Sequence, residues 1–198
     1  VFATALERLR EVFLAPSGQP FVVAGSGTLA MDMAAANLIE PGDKVLVINH
    51  GVFGDRFGEI LERYGADVIH LRGPAPGDVP TLDEVEAALS ENDCQMMTIT
   101  HVDTSTAVAA DVEALAALGQ EYGVLVVVDG VCSVAGEELR QEAWGVDLAL
   151  TASQKAIGVP PGLALVVAGP RAMETFSKRK APVVNYYADW TKWLTIME

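Results

Sequence analysis

Cysteine, lysine, basic charge and long apolar runs are all scarce in this chain, and each scarcity excludes something. The two cysteines, Cys94 and Cys132, form no Cys-x-x-Cys pair. That excludes a disulfide framework and a thiolate metal site. They read as reduced, buried thiols of a cytoplasmic protein. His50, His70 and His101 are scattered without ligand spacing, so no metal is expected and they read as structural or supporting groups. The longest apolar stretches, such as residues 124–128, are strand-sized, against the roughly 20 residues of a membrane span. No membrane, secretory leader, transit segment or lipid anchor is expected. Basic residues number 13 against 27 acidic ones, a formal net charge of −14. Nucleic acid and anionic membrane are thereby excluded as partners, since both require basic surface. A small phosphorylated ligand stays possible, because charge is screened over about 8 Å in physiological salt and local donors decide such a site.

What is present points to a folded enzyme. Of the 198 residues, 51% are hydrophobic and 20% charged, which is a globular composition. Strand-like runs at 21–24, 44–48, 68–71, 96–100, 124–128, 148–151 and 164–168 alternate with amphipathic segments at 29–38, 53–64, 82–89 and 112–122. Turn residues divide the units, as in Pro41-Gly42-Asp43, Tyr64-Gly65-Ala66 and Tyr122-Gly123. The pattern predicts an α/β fold, a mostly parallel sheet sandwiched by helices. Ligands of such sheets sit beyond the strands' carboxyl ends, so the chemistry is sought there. Val1 is not a Met, and residues 1–14 already read as an amphipathic helix. The expectation is a piece that begins inside a fold.

Three strand ends stand out. Gly25-Ser26-Gly27-Thr28-Leu29-Ala30 fits the Gly-x-Gly-x-x-Ala dinucleotide fingerprint, and more generally a phosphate cradle at a helix N-terminus. The next strand ends Ile48-Asn49-His50 with no acid for a ribose, which counts against a dinucleotide. A tight turn without a ligand is the plain alternative. Asp129 follows five apolar residues and is expected to be buried with a partner, or to cap the next turn through Gly130. A magnesium-binding Asp is a further option, although no Gly-x-x-x-x-Gly-Lys-Ser/Thr loop accompanies it. Lys155, in Thr151-Ala152-Ser153-Gln154-Lys155, is one of only five lysines. It is expected among apolar walls that lower its pKa and make its amine nucleophilic. A solvated loop lysine is the alternative, weakened by the stiff Gly158-Val159-Pro160-Pro161-Gly162 turn behind it. An amine for an aldehyde, a carboxylate for a ring nitrogen and a phosphate cradle are the three things pyridoxal phosphate needs.

At these residues the sequence resembles the class V aminotransferases, most closely their alanine–glyoxylate and serine–pyruvate group. The matching stretches are Ala24 to Thr28, Asn49 to Arg56, Thr100 to Thr106, Val127 to Ser133, Ser153-Gln154-Lys155-Ala156 and Pro160-Pro161-Gly162. The resemblance implies the large domain of the fold type I pyridoxal-phosphate enzymes. It also implies that an N-terminal substrate loop and a small C-terminal domain, which supplies an arginine for the substrate carboxylate, are missing from residues 1–198. Lys155 and Asp129 would be catalytic. Lys155 would bond the cofactor and move a proton, and Asp129 would pair with the ring nitrogen. Phe53 would stack on the ring, where Trp is commoner, with plain core packing as its alternative. Thr104 would bond near the ring hydroxyl. Gly27, Thr28 and Gln154 would hold the phosphate, with Ser26 and Ser153 assigned more weakly. The implied substrates are a small amino acid and a 2-oxo acid, in a homodimer. Cysteine desulfurases resemble the pattern too, but usually carry His where Gln154 stands and need a mobile-loop Cys. Ureidoglycine–glyoxylate transamination and a catalytically incomplete piece remain alternatives.

Overall fold

The computed structural model describes residues 1–197. Helix α1 (Phe2–Val12) leads into strand β1 (Gln19–Ala24), α2 (Gly27–Leu38), β2 (Lys44–Ile48), α3 (Val52–Arg63) and β3 (Asp67–Leu71). Then come α4 (Leu82–Glu91), β4 (Met96–Thr100), the short strands β5 (Val102–Asp103) and β6 (Val108–Ala109), and α5 (Val112–Glu121). The chain continues through β7 (Leu125–Asp129), β8 (Leu148–Ala152), β9 (Leu163–Ala168), α6 (Pro170–Ser177) and α7 (Trp190–Met197).

Seven strands form one sheet in the order β1-β9-β8-β7-β4-β2-β3. Neighbours from β8 to β3 pair in parallel, and β9 runs antiparallel to both β8 and β1. The mostly parallel sheet read from the sequence is therefore present, with β9 as its one reversed strand. The strands read as unbroken apolar runs because both faces are covered. Along β2, Val45 and Val47 enter the core beneath α2 and α3, while Leu46 and Ile48 enter the core beneath α4 and α5. Helix α2 is apolar nearly all round because it is buried nearly all round, from Ala30 through Leu38. The expected glycine stops hold: Gly65 and Gly123 adopt φ of +89° and +71° just after α3 and α5.

This topology removes the dinucleotide alternative. Such a site needs β1 and β2 as parallel neighbours around α2. Here four strands separate them, and β1 lies at the sheet's edge, paired only with β9. Helix α7 covers that edge: Gln19 Nε2 donates to Met197 O at 2.8 Å, and the Val22 N–H meets Met197 Sδ at 3.3 Å. The reversal of β9 has a local consequence. It sets the carboxyl ends of β1, β8 and β7 along the same edge of the sheet.

Candidate active site

The turn after β1 is fixed from two directions. Gly25 N–H donates to Gly162 O at 2.8 Å, and Tyr187 Oη donates to Ala24 O at 2.9 Å. Ser26 occupies the N-cap of α2 in extended conformation, with its hydroxyl making no cap bond. Gly27 is required by close approach: a Cβ there would stand 2.6 Å from Val131 Cγ2. The helix thus begins against the turn that follows β7, with the N–H groups of its first turn lacking helical partners.

Asp129 closes β7 in the side-chain parity of Leu125 and Val127, so it faces the core of α2 and α3. It is buried, and Val131 N–H donates to its Oδ1 at 2.9 Å. That bond is the turn-capping role anticipated as an alternative, reached through Val131 instead of Gly130. Burial pushes the carboxyl up to about 7, the Val131 bond pulls it down, Asp103 pushes up, and the charges of Arg56 and Lys155 pull down. Both cations therefore lie within electrostatic reach of it; the sequence reading named only Lys155.

Lys155 differs from expectation in one respect. It stands on the turn after β8 and is exposed, where burial among apolar walls was expected. The sharp exit from β8 carries it over the sheet edge. Ser153 builds that turn. Fully buried, its hydroxyl donates to Pro160 O at 2.8 Å and accepts from Leu163 N–H at 3.2 Å. A hydroxyl engaged twice within its own loop shapes the turn that carries the lysine, and its one O–H donor is spent on Pro160 O, not on a phosphate. Gly162 at φ +135° completes the turn and presents the carbonyl that holds Gly25.

Phe53 and Arg56 share a face of α3, three residues apart. The Arg56 guanidinium carbon lies 4.8 Å from the Phe53 ring centroid, and Nη1 approaches Thr28 Oγ1 at 3.4 Å. Buried Asp103 fixes the start of this helix: its Oδ2 accepts from Phe53 N–H at 2.9 Å, and its Oδ1 from Ser105 N–H at 2.9 Å and Ser105 Oγ at 2.6 Å. Thr104 is exposed on the same loop, with Cys132 Sγ 3.6 Å from its hydroxyl.

Ser26, Gly27, Thr28, Phe53, Gln154 and Lys155 together line one cavity of about 140 Å³. Asp129, Thr104 and Ser153 are not among its lining residues; Asp129 adjoins it through the bond from Val131, which does line it. Arg56 and Asp103 were not singled out from the sequence. The three-residue step from Phe53 was the available signal for Arg56. Asp103 offered none, because its partner Phe53 lies 50 positions away. A larger cavity of 540 Å³ opens between the start of α3 and residues 73–78, lined by His50 but by neither Lys155 nor Asp129. Burial lowers the pKa of His50, His70 and His101 from the ordinary histidine value. Among the described residues no cluster of three or more His, Cys, Asp or Glu side chains is placed to hold a metal ion.

Residues 1–182 match the family profile described as aminotransferase class-V. The chain is 41% identical to alanine–glyoxylate aminotransferase 1 of Saccharomyces cerevisiae, covering 100% of this chain and 54% of that protein. The crystal structure of alanine–glyoxylate aminotransferase from Nostoc sp. superposes with a TM-score of 0.91 at 35% identity, over 96% of this chain and 52% of that one. That of ureidoglycine–glyoxylate aminotransferase from Bacillus subtilis does so with 0.90 at 28%, over 94% and 48%. The chain spans about half the length of the relatives it matches.

Proposed function

The chain belongs to the aminotransferase class V family, and on that footing we propose that it is the cofactor-binding large domain of an enzyme that transfers an amino group to glyoxylate, using pyridoxal phosphate. The observation carrying this is the cavity where the start of α2, Phe53 and Lys155 meet with buried Asp129 behind them. The donor set suits the cofactor's parts. Gly27 leaves space that a Cβ would fill, beside free N–H groups fit for a phosphate. Lys155 offers a primary amine, and Asp129 a carboxylate on the sheet side. Bound there, pyridoxal phosphate supplies an electron sink for the substrate's α-carbon.

The chain's own groups divide the remaining work. Lys155 Nζ would hold the cofactor at its aldehyde end and would carry a proton at the substrate's α-carbon. Its exposed turn gives that amine room to move. Asp129 would pair with the ring nitrogen, a positive partner that would favour its ionised form, each pKa unit so gained being about 1.4 kcal/mol. Phe53 covers one ring face and shields it from water. Gln154 and Thr28, which line the cavity, would hold the phosphate end; Thr104, outside the lining, is assigned to the ring hydroxyl by the family resemblance alone. Ser153 and Asp103 touch none of these parts and act by positioning Lys155 and Phe53.

Glyoxylate is the acceptor shared by the names of the relatives above, whereas their donors differ. A small donor, alanine or serine, is our reading, with pyruvate as the other acceptor. Homodimeric assembly and a cytoplasmic location belong to the same reading, the latter in keeping with Cys94 and Cys132 as free thiols. The half-length span favours a second reading, in which these residues bind the cofactor without turning over. Equal activity of this chain and a full-length relative would eliminate it. The main test is borohydride reduction with pyridoxal phosphate, followed by peptide mass analysis. We expect label on the Lys155 peptide and none in Lys155→Ala; undiminished labelling of the variant would refute the assignment.

A further inference from the structure

Arg56 is the one cationic side chain besides Lys155 on the walls of the 140 Å³ cavity. Among the described residues no carboxylate lies within ion-pair distance of it, as is also true of Arg10, Arg63 and Arg179, but of these four only Arg56 lines the cavity. Its guanidinium rests over the Phe53 ring and reaches Thr28 Oγ1, at the first turn of α2. An arginine in no ion pair, beside the first turn of α2 and within electrostatic reach of buried Asp129, thus faces the cavity in a chain of net charge −14. With the overall charge screened beyond about 8 Å in physiological salt, donors close to the cavity decide whether a phosphate is held. The helix end contributes only about 0.3–1 kcal/mol. The backbone and Gln154 donors carry no formal charge. A planar guanidinium with five N–H donors supplies what is missing, because its fork matches two phosphate oxygens.

We propose that Arg56 is the counter-charge by which this site selects a phosphorylated ring over the same ring without phosphate. The proposal rests on the pyridoxal phosphate reading above and adds to it a residue responsible for the phosphate preference. Its rival is that Arg56 merely steadies Phe53 by lying on the ring. The two differ in what they predict for a ligand that keeps the ring and lacks the phosphate.

The test titrates wild type, Arg56→Gln and Arg56→Lys with pyridoxal phosphate and with pyridoxal, reading binding by absorbance and protein fluorescence. Arg56→Gln is expected to weaken pyridoxal phosphate roughly 10- to 100-fold, as for loss of a charged hydrogen-bonding group. Pyridoxal is expected to weaken less than about 3-fold, a change below 0.7 kcal/mol. Arg56→Lys should restore part of the difference, since it keeps the charge without the fork. Inorganic phosphate should compete with pyridoxal phosphate for the wild type and about tenfold more weakly for Arg56→Gln. Equal weakening of both ligands, or no weakening of either, would overturn the proposal while leaving the cofactor reading intact. If neither ligand bound the wild type in a Lys155-dependent way, the cofactor reading and this proposal would fall together.

Discussion

Asp129 has left water almost completely, and its carboxyl responds by keeping its proton up to about pH 7. The sign of the consequence follows from proton counting. The unfolded chain releases this proton near pH 4 and the folded chain near 7, so the native state binds more protons in between. Stability from this group is therefore complete below about pH 4 and is lost as pH rises to about 7. Asn at 129 cannot ionise. In urea unfolding of the cofactor-free protein, the difference between Asp129→Asn and wild type should move in the variant's favour by about 1 kcal/mol or more from pH 4 to pH 8. A difference independent of pH would show that the carboxyl does not titrate as its burial implies. Pyridoxal phosphate should abolish the trend, because a cationic ring nitrogen beside the carboxyl favours its charged form.

Helix α3 shows what an element contributes and how much of it the sequence disclosed. Its stripe of Phe57, Ile60 and Leu61 and its stop at Tyr64-Gly65 were readable, since both are local patterns. Its start was not, because the cap comes from Asp103, which the β5–β6 hairpin brings back across the sheet. The hairpin itself escaped notice, as two-residue strands carry no periodicity. Helix α6, with Pro170 at its first turn, and α7 were likewise not delimited. Strands were found to within one or two residues, because two-sided burial writes itself as an apolar run. Of the candidate site, Lys155, Asp129 and the Gly25–Thr28 turn were legible as strand ends. Arg56, Asp103 and the inward duty of Ser153 were not, since each is defined by a partner distant in sequence or by a turn's internal bonding. Asp103→Ala removes the acceptor for Phe53 N–H and should cost about 1–2 kcal/mol in urea unfolding. An unchanged midpoint would mean that the cap contributes nothing.

At the scale of the whole molecule, the 14 surplus negative charges oppose compaction. The −14 field is screened over about 30 Å in 10 mM salt and about 8 Å in 150 mM. Raising NaCl across that interval should therefore raise the thermal midpoint, by about 2–4 °C for each kcal/mol of relieved repulsion in a domain of this size. A midpoint that falls would point to favourable ion pairs outweighing repulsion. The exposed pairs argue against that, because Arg8–Glu11, Arg140–Glu138 and Lys178–Glu174 all lie at the surface.

The single main-chain bond between Gly25 and Gly162 joins two loops separated by most of the chain. It makes the cradle and the lysine turn mechanically one part. A peptide spanning only residues 19–38 would carry the glycines but not their posture, and a lengthened Pro-Pro-Gly turn would tug the first coil of α2 out of line. The span between the phosphate-cradle turn and the lysine's turn is thereby set by backbone, and side-chain substitutions around the rim leave that bond intact.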